Sequence, residues 1–227
     1  MKLEIFGDSV LKGVMYTESG RYKIYDERLN SRLAEMDIGL ERNCRIGSTV
    51  GMGYERLEKR FLENPPDRDD TFLLEFGGND SDYNWKEIAE NCTGDHFCHT
   101  LPEKYLEIYG RMIEKIKGFG VKNIFVSTLI PIDAEKYLNF IGKTLDKEKI
   151  LSWLGDTSML YRFQESYSRL AEKVAGEYGC RLVDLRTPFL LSHDFSSLLS
   201  SDGIHPTQKG HELIENVIFD SVVGNAI

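Results

Sequence analysis

Residues 3–9 read Leu3-Glu4-Ile5-Phe6-Gly7-Asp8-Ser9. Ile5 and Phe6 close a short apolar run that Gly7-Asp8 ends, so the pattern predicts a strand followed at once by a loop carrying Ser9. Open parallel sheets place their chemistry at the C-terminal ends of their strands, and this stretch puts a hydroxyl group there. Taken alone, Gly-Asp is also an ordinary turn pair and Ser9 an ordinary helix cap. What the rest of the chain supplies to accompany Ser9 decides between these readings.

Outward from this stretch, strand-like and helix-like patterns alternate. Residues 10–25 read as irregular. Residues 26–36 predict a helix with Leu29, Leu33 and Met36 on one face, and residues 38–45 a short strand. After the glycine-rich segment Gly47-Ser48-Thr49-Val50-Gly51-Met52-Gly53, a helix is expected over about 54–63. Leu57, Phe61 and Leu62 face inward in it, and Pro65-Pro66 stops it. The run Thr71-Phe72-Leu73-Leu74-Glu75-Phe76 is the most strand-like in the chain, nearly all apolar, and suits a central parallel strand covered on both faces. It ends in Gly77-Gly78-Asn79-Asp80. Residues 102–117 predict an amphipathic helix with Tyr105, Tyr109, Met112, Ile113 and Ile116 as its buried stripe. Pro102 stands at its start and Gly118 at its end. A strand over 121–129, a helix over 158–178, a last strand over 180–185 and a closing helix over 207–220 complete the series.

Strands alternating with helices imply right-handed crossovers and a parallel sheet with helices on both faces. The expected fold is α/β: a three-layer α/β/α sandwich on a five-stranded, flavodoxin-like parallel sheet. Two stretches interrupt the alternation. Residues 81–100 are polar and aromatic and too long for a plain connection, and residues 132–156 are expected to be helical and aromatic. Neither brings a shift in composition, so residues 1–227 are expected to form one domain with a cap built from these insertions.

The bulk properties exclude several classes. The chain has 227 residues, 41% hydrophobic and 29% charged, which suits a globular domain able to bury a core without metal or disulfides. Its net charge of -9 argues against nucleic acid as a partner, because phosphate binding needs a basic face. No apolar run approaches the roughly 18 residues that span a bilayer. Met1-Lys2 leads straight into strand-like residues with a charge at Glu4, unlike a signal peptide. The expectation is a cytoplasmic protein with its four cysteines reduced, no cofactor, and neither nucleic acid nor membrane as partner.

Four loops present chemically useful residues at strand ends or just before the last helix. Ser9 is a candidate nucleophile, His205 its base, and Asp202 the group that orients the base. A serine hydroxyl is too weak an acid to attack a carbonyl unaided and needs an imidazole within hydrogen-bond reach. The imidazole in turn needs a fixed tautomer, which a carboxylate supplies through the other ring nitrogen. The Asp202-Gly203-Ile204-His205 spacing permits this where the loop folds back at Gly203. Gly47 and Asn79 are candidate donors to an oxyanion. Asp184, at the end of the last strand, is a rival partner for His205.

Together Gly7-Asp8-Ser9, Gly47 between Asn43 and Thr49, Gly77-Gly78-Asn79-Asp80 and Asp202-Gly203-Ile204-His205-Pro206 resemble the four sequence blocks of the SGNH, or GDSL, hydrolase family. They occur in the family's order and span most of the chain. The resemblance implies an esterase or lipase-like acyl hydrolase that needs no metal. It implies Ser9 as nucleophile, His205 as base, Asp202 as its partner, and an oxyanion hole from the backbone N–H groups of Ser9 and Gly47 with the Asn79 side chain. The second block departs from the pattern by lacking small residues before the glycine, which leaves Gly51 as an alternative to Gly47.

Other motifs are weaker. Gly51-Met52-Gly53 has Arg56 where a dinucleotide fingerprint has its third glycine, and no Gly-x-Ser-x-Gly elbow occurs. Cys92, His96, Cys98 and His99 are crowded, but their spacing does not match paired zinc-ligand units. Tyr83, Trp85, Tyr137, Phe140 and Trp153 fit a small cap core. Asp8, Trp85, His96 and Trp153 are the candidates for a substrate pocket. The expected function is serine esterase action on small acyl esters, acetyl esters among them. The alternatives are a lysophospholipase or thioesterase for longer chains, and a non-catalytic binding protein on the same fold.

Overall fold

The N-terminal stretch forms β1 (Lys2–Gly7), an interior strand of the sheet in the computed structural model, which describes residues 1–25 and 28–224. Leu3, Ile5 and Phe6 are wholly buried, as a parallel strand covered on both faces requires. Along the chain follow β2 (Val14–Tyr16), β3 (Tyr22–Ile24), α1 (Leu29–Ala34), β4 (Gly39–Cys44), α2 (Val50–Glu63) and β5 (Thr71–Leu74). Next come α3 (Trp85–Glu90), α4 (Pro102–Gly118), β6 (Asn123–Ser127), α5 (Ala134–Ile141), α6 (Lys147–Leu154) and α7 (Ser158–Glu177). The remainder is β7 (Arg181–Val183), α8 (Arg186–Leu190), α9 (Phe195–Leu198) and α10 (Gln208–Val222).

Five strands pair in parallel in the order β4-β1-β5-β6-β7. Numbered along the chain this is 2-1-3-4-5, the flavodoxin-like arrangement. Helices α2, α4 and α7 bury Phe6, Phe72, Leu74 and Phe76 under one face, with Tyr105, Tyr109 and Ile113 at the centre of that layer. Leu29, Leu33, Phe189 and Ile218 cover Leu3, Ile5, Leu73 and Phe125 on the other face. The strand order reverses between β1 and β5, where ligands of such sheets bind. The loops leaving these two strands carry Ser9 and Asn79.

The insertion at 81–100 contributes α3, and the one at 132–156 contributes α5 and α6. Trp85, Ile88, Tyr137, Leu138, Ile150 and Leu154 from both insertions bury one another together with Leu160 of α7.

Several elements differ from the sequence expectation. Residues 10–25 are not wholly irregular: β2 and β3 form an antiparallel hairpin, its strands too short for an alternation to be visible. Helix α2 starts at Val50, because Thr49 accepts the Met52 N–H as N-cap, so Gly51 and Gly53 belong to its first turn. Leu62 is 86% exposed, since it follows the inward Leu57–Phe61 pair by 100° around the helix. Met36 is exposed because α1 ends at Ala34, before it. The first two residues expected in that helix, 26 and 27, lie outside the described residues. No helix of the described residues is long and apolar enough to cross a membrane.

Gly53 sets the approach of α2 to the sheet. A Cβ there would stand 2.2 Å from the Phe76 ring. Alanine is the better helix former by about 1 kcal/mol. Gly53→Ala is nevertheless expected to destabilise the fold by about 1–3 kcal/mol through overpacking, read as a lower urea midpoint. A stabilised variant would show that the ring gives way freely.

Candidate active site

Ser9 follows β1 after Asp8, in a turn tied by its own neighbours. Asp8 Oδ1 accepts the Val10 N–H at 2.8 Å, the Lys12 N–H donates to the Asp8 carbonyl at 3.1 Å, and the Val14 N–H donates to the Ser9 carbonyl at 2.9 Å. These bonds leave Ser9 7% exposed at the rim of the sheet.

His205 arrives from the opposite end of the chain. The turn before it closes through Gly203 N–H to the Ser200 carbonyl at 3.0 Å and Ser200 N–H to the His205 carbonyl at 2.8 Å. Asp202 Oδ1 accepts the N–H groups of Ile204 and His205 at 3.2 and 3.1 Å. Gly203 has φ +79°, and a Cβ there would lie 2.5 Å from the Asp133 carbonyl at the start of α5. Only glycine allows both this backbone conformation and this contact. The turn is thereby fixed against the cap.

Asp202 Oδ2 lies 2.7 Å from His205 Nδ1, and His205 Nε2 lies 2.9 Å from Ser9 Oγ. All three side chains are buried. A carboxylate can only accept, so Nδ1 carries the proton and donates to Asp202. Nε2 is then the acceptor for the Ser9 hydroxyl. Tyr22 of the β2–β3 hairpin sets its ring edge-on to the His205 imidazole at 5.3 Å, a neighbour that no sequence pattern indicated. Asp184 does not reach the imidazole. It accepts the N–H groups of Arg186 and Thr187 at 3.1 and 3.0 Å at the start of α8.

Asn79 comes to the same rim from β5. Its amide donates to Asp8 Oδ2 at 2.9 Å and to the Ser48 carbonyl at 3.3 Å. The Ser48 contact brings in the turn after β4, where Gly47 sits exposed with φ +71°. Gly51 instead lies within α2. Asp80 is wholly buried and accepts the Val50 N–H at 3.0 Å, which pins the start of α2 to the loop after β5. Burial pushes the Asp80 carboxyl up to about 6.

A cavity of about 80 Å³ opens beside Ser9 and His205. Asp8, Glu75, Asp82, Trp85, Leu129, Phe163 and Gln164 are on its wall. Trp85 donates from Nε1 to Asp82 at 2.9 Å, and the Tyr137 hydroxyl donates to the other Asp82 oxygen at 2.8 Å, so this part of the wall is held rigid. Of the four residues expected to form a pocket, Asp8 and Trp85 line it and His96 and Trp153 do not. Trp153 on α6 packs behind the wall against Tyr83, Trp85 and Phe163. His96 sits edge-on to Trp153 and bonds the Asn91 carbonyl at 2.7 Å. Among the described residues, no three His, Cys, Asp or Glu side chains are grouped to hold a metal ion. Cys98 bonds the Tyr167 hydroxyl, and His99 bonds the Asn79 carbonyl.

Glu75 is not among the candidates read from sequence, though it interrupts an otherwise apolar run. That interruption was the signal. An acid in the middle of a doubly covered strand must find a partner or a cavity.

The sequence profile of the GDSL-like lipase/acylhydrolase family matches residues 5–213. No curated protein sequence matches the chain. Among solved structures it is similar to a lipase/acylhydrolase from Enterococcus faecalis, with TM-score 0.65 and 19% identity over 99% of this chain and 96% of that one. It is similar also to the acetyl xylan esterase AlAXEase, with TM-score 0.64 and 21% identity over 98% and 100% of the two chains. The acetylxylan esterase Axe2 from Geobacillus stearothermophilus gives 0.67 and 18% over 97% and 93%. At these identities the structures establish the fold alone, while the profile spans nearly the whole chain. The chain belongs to the GDSL-like lipase/acylhydrolase family and is a carboxylic ester hydrolase.

Proposed function

We propose that the protein is a serine esterase that removes small acyl groups, acetyl among them, through an acyl-enzyme on Ser9. The observation that carries this is the unbroken Asp202–His205–Ser9 hydrogen-bond chain of 2.7 and 2.9 Å. Ser9 Oγ attacks the ester carbonyl carbon as its proton passes to His205 Nε2. The imidazolium that forms is stabilised by buried Asp202. His205 then returns the proton to the leaving alcohol as the carbon–oxygen bond breaks. Water repeats the cycle on the acyl-enzyme, giving up its proton to His205 and releasing the acid.

The negative charge on the intermediate falls to the N–H groups of Ser9 and Gly47 and to the Asn79 amide. Asn79 already spends both amide hydrogens. The contact to the Ser48 carbonyl is the longer at 3.3 Å, hence the weaker, and is the one given up to the oxyanion.

Substrate size follows from the cavity. A cavity of roughly 150 Å³ accommodates benzene, so about 80 Å³ beside Ser9 suits an acetyl or slightly larger acyl group. The carboxyl-bearing Asp8 and Asp82 on its wall disfavour an anionic acyl group. The acetyl xylan esterases among the structural neighbours are consistent with this reading. A lysophospholipase or thioesterase for long chains would need the space behind the wall, which Trp153 fills where it packs against Phe163. Four free cysteines accord with action in a reducing compartment such as the cytoplasm.

Ser9→Ala is expected to abolish both hydrolysis of nitrophenyl acetate and labelling by a fluorophosphonate. Undiminished turnover would remove Ser9 from the reaction. Asp202→Asn should leave the fold intact and lower kcat by about 10³- to 10⁴-fold, because an amide favours the wrong imidazole tautomer. A wild-type rate would mean that another group orients His205. Across nitrophenyl esters from acetate to octanoate, kcat/KM is expected to fall by about 10- to 100-fold, the cost of forcing extra methylenes against the wall. A rising series would favour the long-chain alternative.

A further inference from the structure

Glu75 has no part in the chemistry described so far, yet it stands beside it. The parallel register pairs Leu74 with Phe6, and the Glu75 N–H donates to the Phe6 carbonyl at 2.9 Å, which sets Glu75 alongside Gly7 and Asp8. Its side chain is buried, lines the cavity next to Ser9, and turns one oxygen to the Asp8 N–H at 3.5 Å. The same oxygen would lie 3.1 Å from a Cβ at Gly7, so a side chain at position 7 would press on it. The two carboxyl groups are thus neighbours on one wall of the cavity.

Asp8 is the hub of this corner. One of its oxygens accepts from Val10 just after Ser9, and the other accepts from the Asn79 amide. We propose that Glu75 is a positioning residue: as a neutral acid it donates a hydrogen bond to Asp8, and this holds Asp8 in place to orient the Asn79 amide and the Ser9 turn. The inference rests on the esterase reading for its kinetic consequence, and on geometry alone for the contact itself.

Two buried carboxyl groups in contact cannot both ionise cheaply. Burial and then the Asp8 charge push the Glu75 carboxyl well above its ordinary range, so the proton of the pair resides on Glu75. Asp8 is pushed up by burial but is drawn back by the Val10 N–H, His205 and Asn79. Among the described residues no Lys, Arg or His forms an ion pair with Glu75. Tyr105 and Tyr109 of α4 and Cys44 of β4 are pushed up by burial and stay neutral, and Asp80 adds negative charge. Arg56 is bound to the carbonyls of Gly7 and Asn43. Below its raised value Glu75 is neutral and the hydrogen bond stands. As pH rises through that value Glu75 ionises, repels Asp8 and loosens Asn79.

The test compares wild type with Glu75→Gln and Glu75→Leu. Loss of one buried hydrogen bond to a charged group predicts that Glu75→Leu lowers kcat on nitrophenyl acetate by about 10- to 100-fold with KM little changed. Glu75→Gln, whose amide still donates to Asp8, is expected to recover most of this rate and to lack the alkaline limb of the wild-type kcat profile. Independently of turnover, the Asn79 side-chain resonances in ¹⁵N–¹H spectra should shift with pH in wild type and not in Glu75→Gln. Should Glu75→Leu not fold, the Glu75→Gln profile and spectra decide alone. A Glu75→Gln protein that keeps the alkaline limb and the Asn79 titration overturns the inference. So does a folded Glu75→Leu with wild-type kcat, and neither result touches the esterase reading. Wild type inert to acetyl esters and to a fluorophosphonate would defeat the esterase reading, leaving the Asn79 spectra to judge the Glu75 contact.

Discussion

The parallel pairing of β1 with β5 is the constraint on which the rest depends. Four register pairs, from Leu3 with Thr71 to Phe6 with Leu74, end both strands at the same level. The next residues of each chain segment are then Gly7-Asp8-Ser9 on one side and Glu75 through Asn79 on the other. The strand order reverses at this pair, so no crossover helix lies over the gap between their loops. The turn after β4 enters from one flank and the 200–206 turn from the other. Hydrogen bonds of 2.9 Å join three of these four segments, and the 3.3 Å contact from Asn79 to Ser48 joins the fourth.

The two ends of β1 handle charge in opposite ways. At the N-terminal end Glu4 is wholly buried but meets Arg60 at 2.7 Å and Lys2 at 2.9 Å, so the acid is matched by cations from α2 and from its own strand. At the C-terminal end Asp8, Glu75 and Asp80 are buried, and among the described residues no Lys or Arg pairs with them as Arg60 pairs with Glu4. There the carboxyl groups depend on N–H donors and on holding protons, and burial raises all three. A cation in direct contact there would compete for the proposed oxyanion or for Asp202. The arrangement keeps His205 as the group through which protons move in the proposed reaction.

The hairpin of β2 and β3 also belongs to the site. His211 on α10 donates from Nε2 to the Val14 carbonyl at 3.0 Å and stacks on Tyr25 at 5.4 Å. Burial lowers its imidazole to about 4, so it is neutral at ordinary pH and can serve as a fixed bond between the last helix and the hairpin. The hairpin in turn places Tyr22 against His205. Contacts therefore run from the closing helix through the hairpin to the imidazole, separately from the 200–206 turn.

Much of this was legible in the sequence, for identifiable reasons. The runs 3–6 and 71–74 are mostly apolar because both faces of a parallel strand are covered, and the stripe Tyr105, Tyr109, Met112, Ile113 and Ile116 is wholly buried as its spacing implied. Short motifs located Ser9, Asn79, Asp202 and His205 because each depends on residues adjacent in the chain. Local pattern also suggested that Leu62 and Met36 point inward. They do not: Leu62 lies 100° round the helix from Phe61, and Met36 follows the end of α1 at Ala34. The aromatic residues of the two insertions were visible, but not which of them face Ser9. Trp85 does and Trp153 does not, because α6 packs from behind.

The residues alone determined the strand–helix alternation, the family blocks and the candidates for moving a proton, because these are carried by spacing within a few positions. Only the tertiary structure decided that Glu75 meets Asp8, that Tyr22 meets His205, and that the cavity is about 80 Å³ in size. Those contacts join segments tens to nearly two hundred residues apart. The register of paired strands and the docking of helices fix such distances, and neither is encoded in any single stretch of the chain.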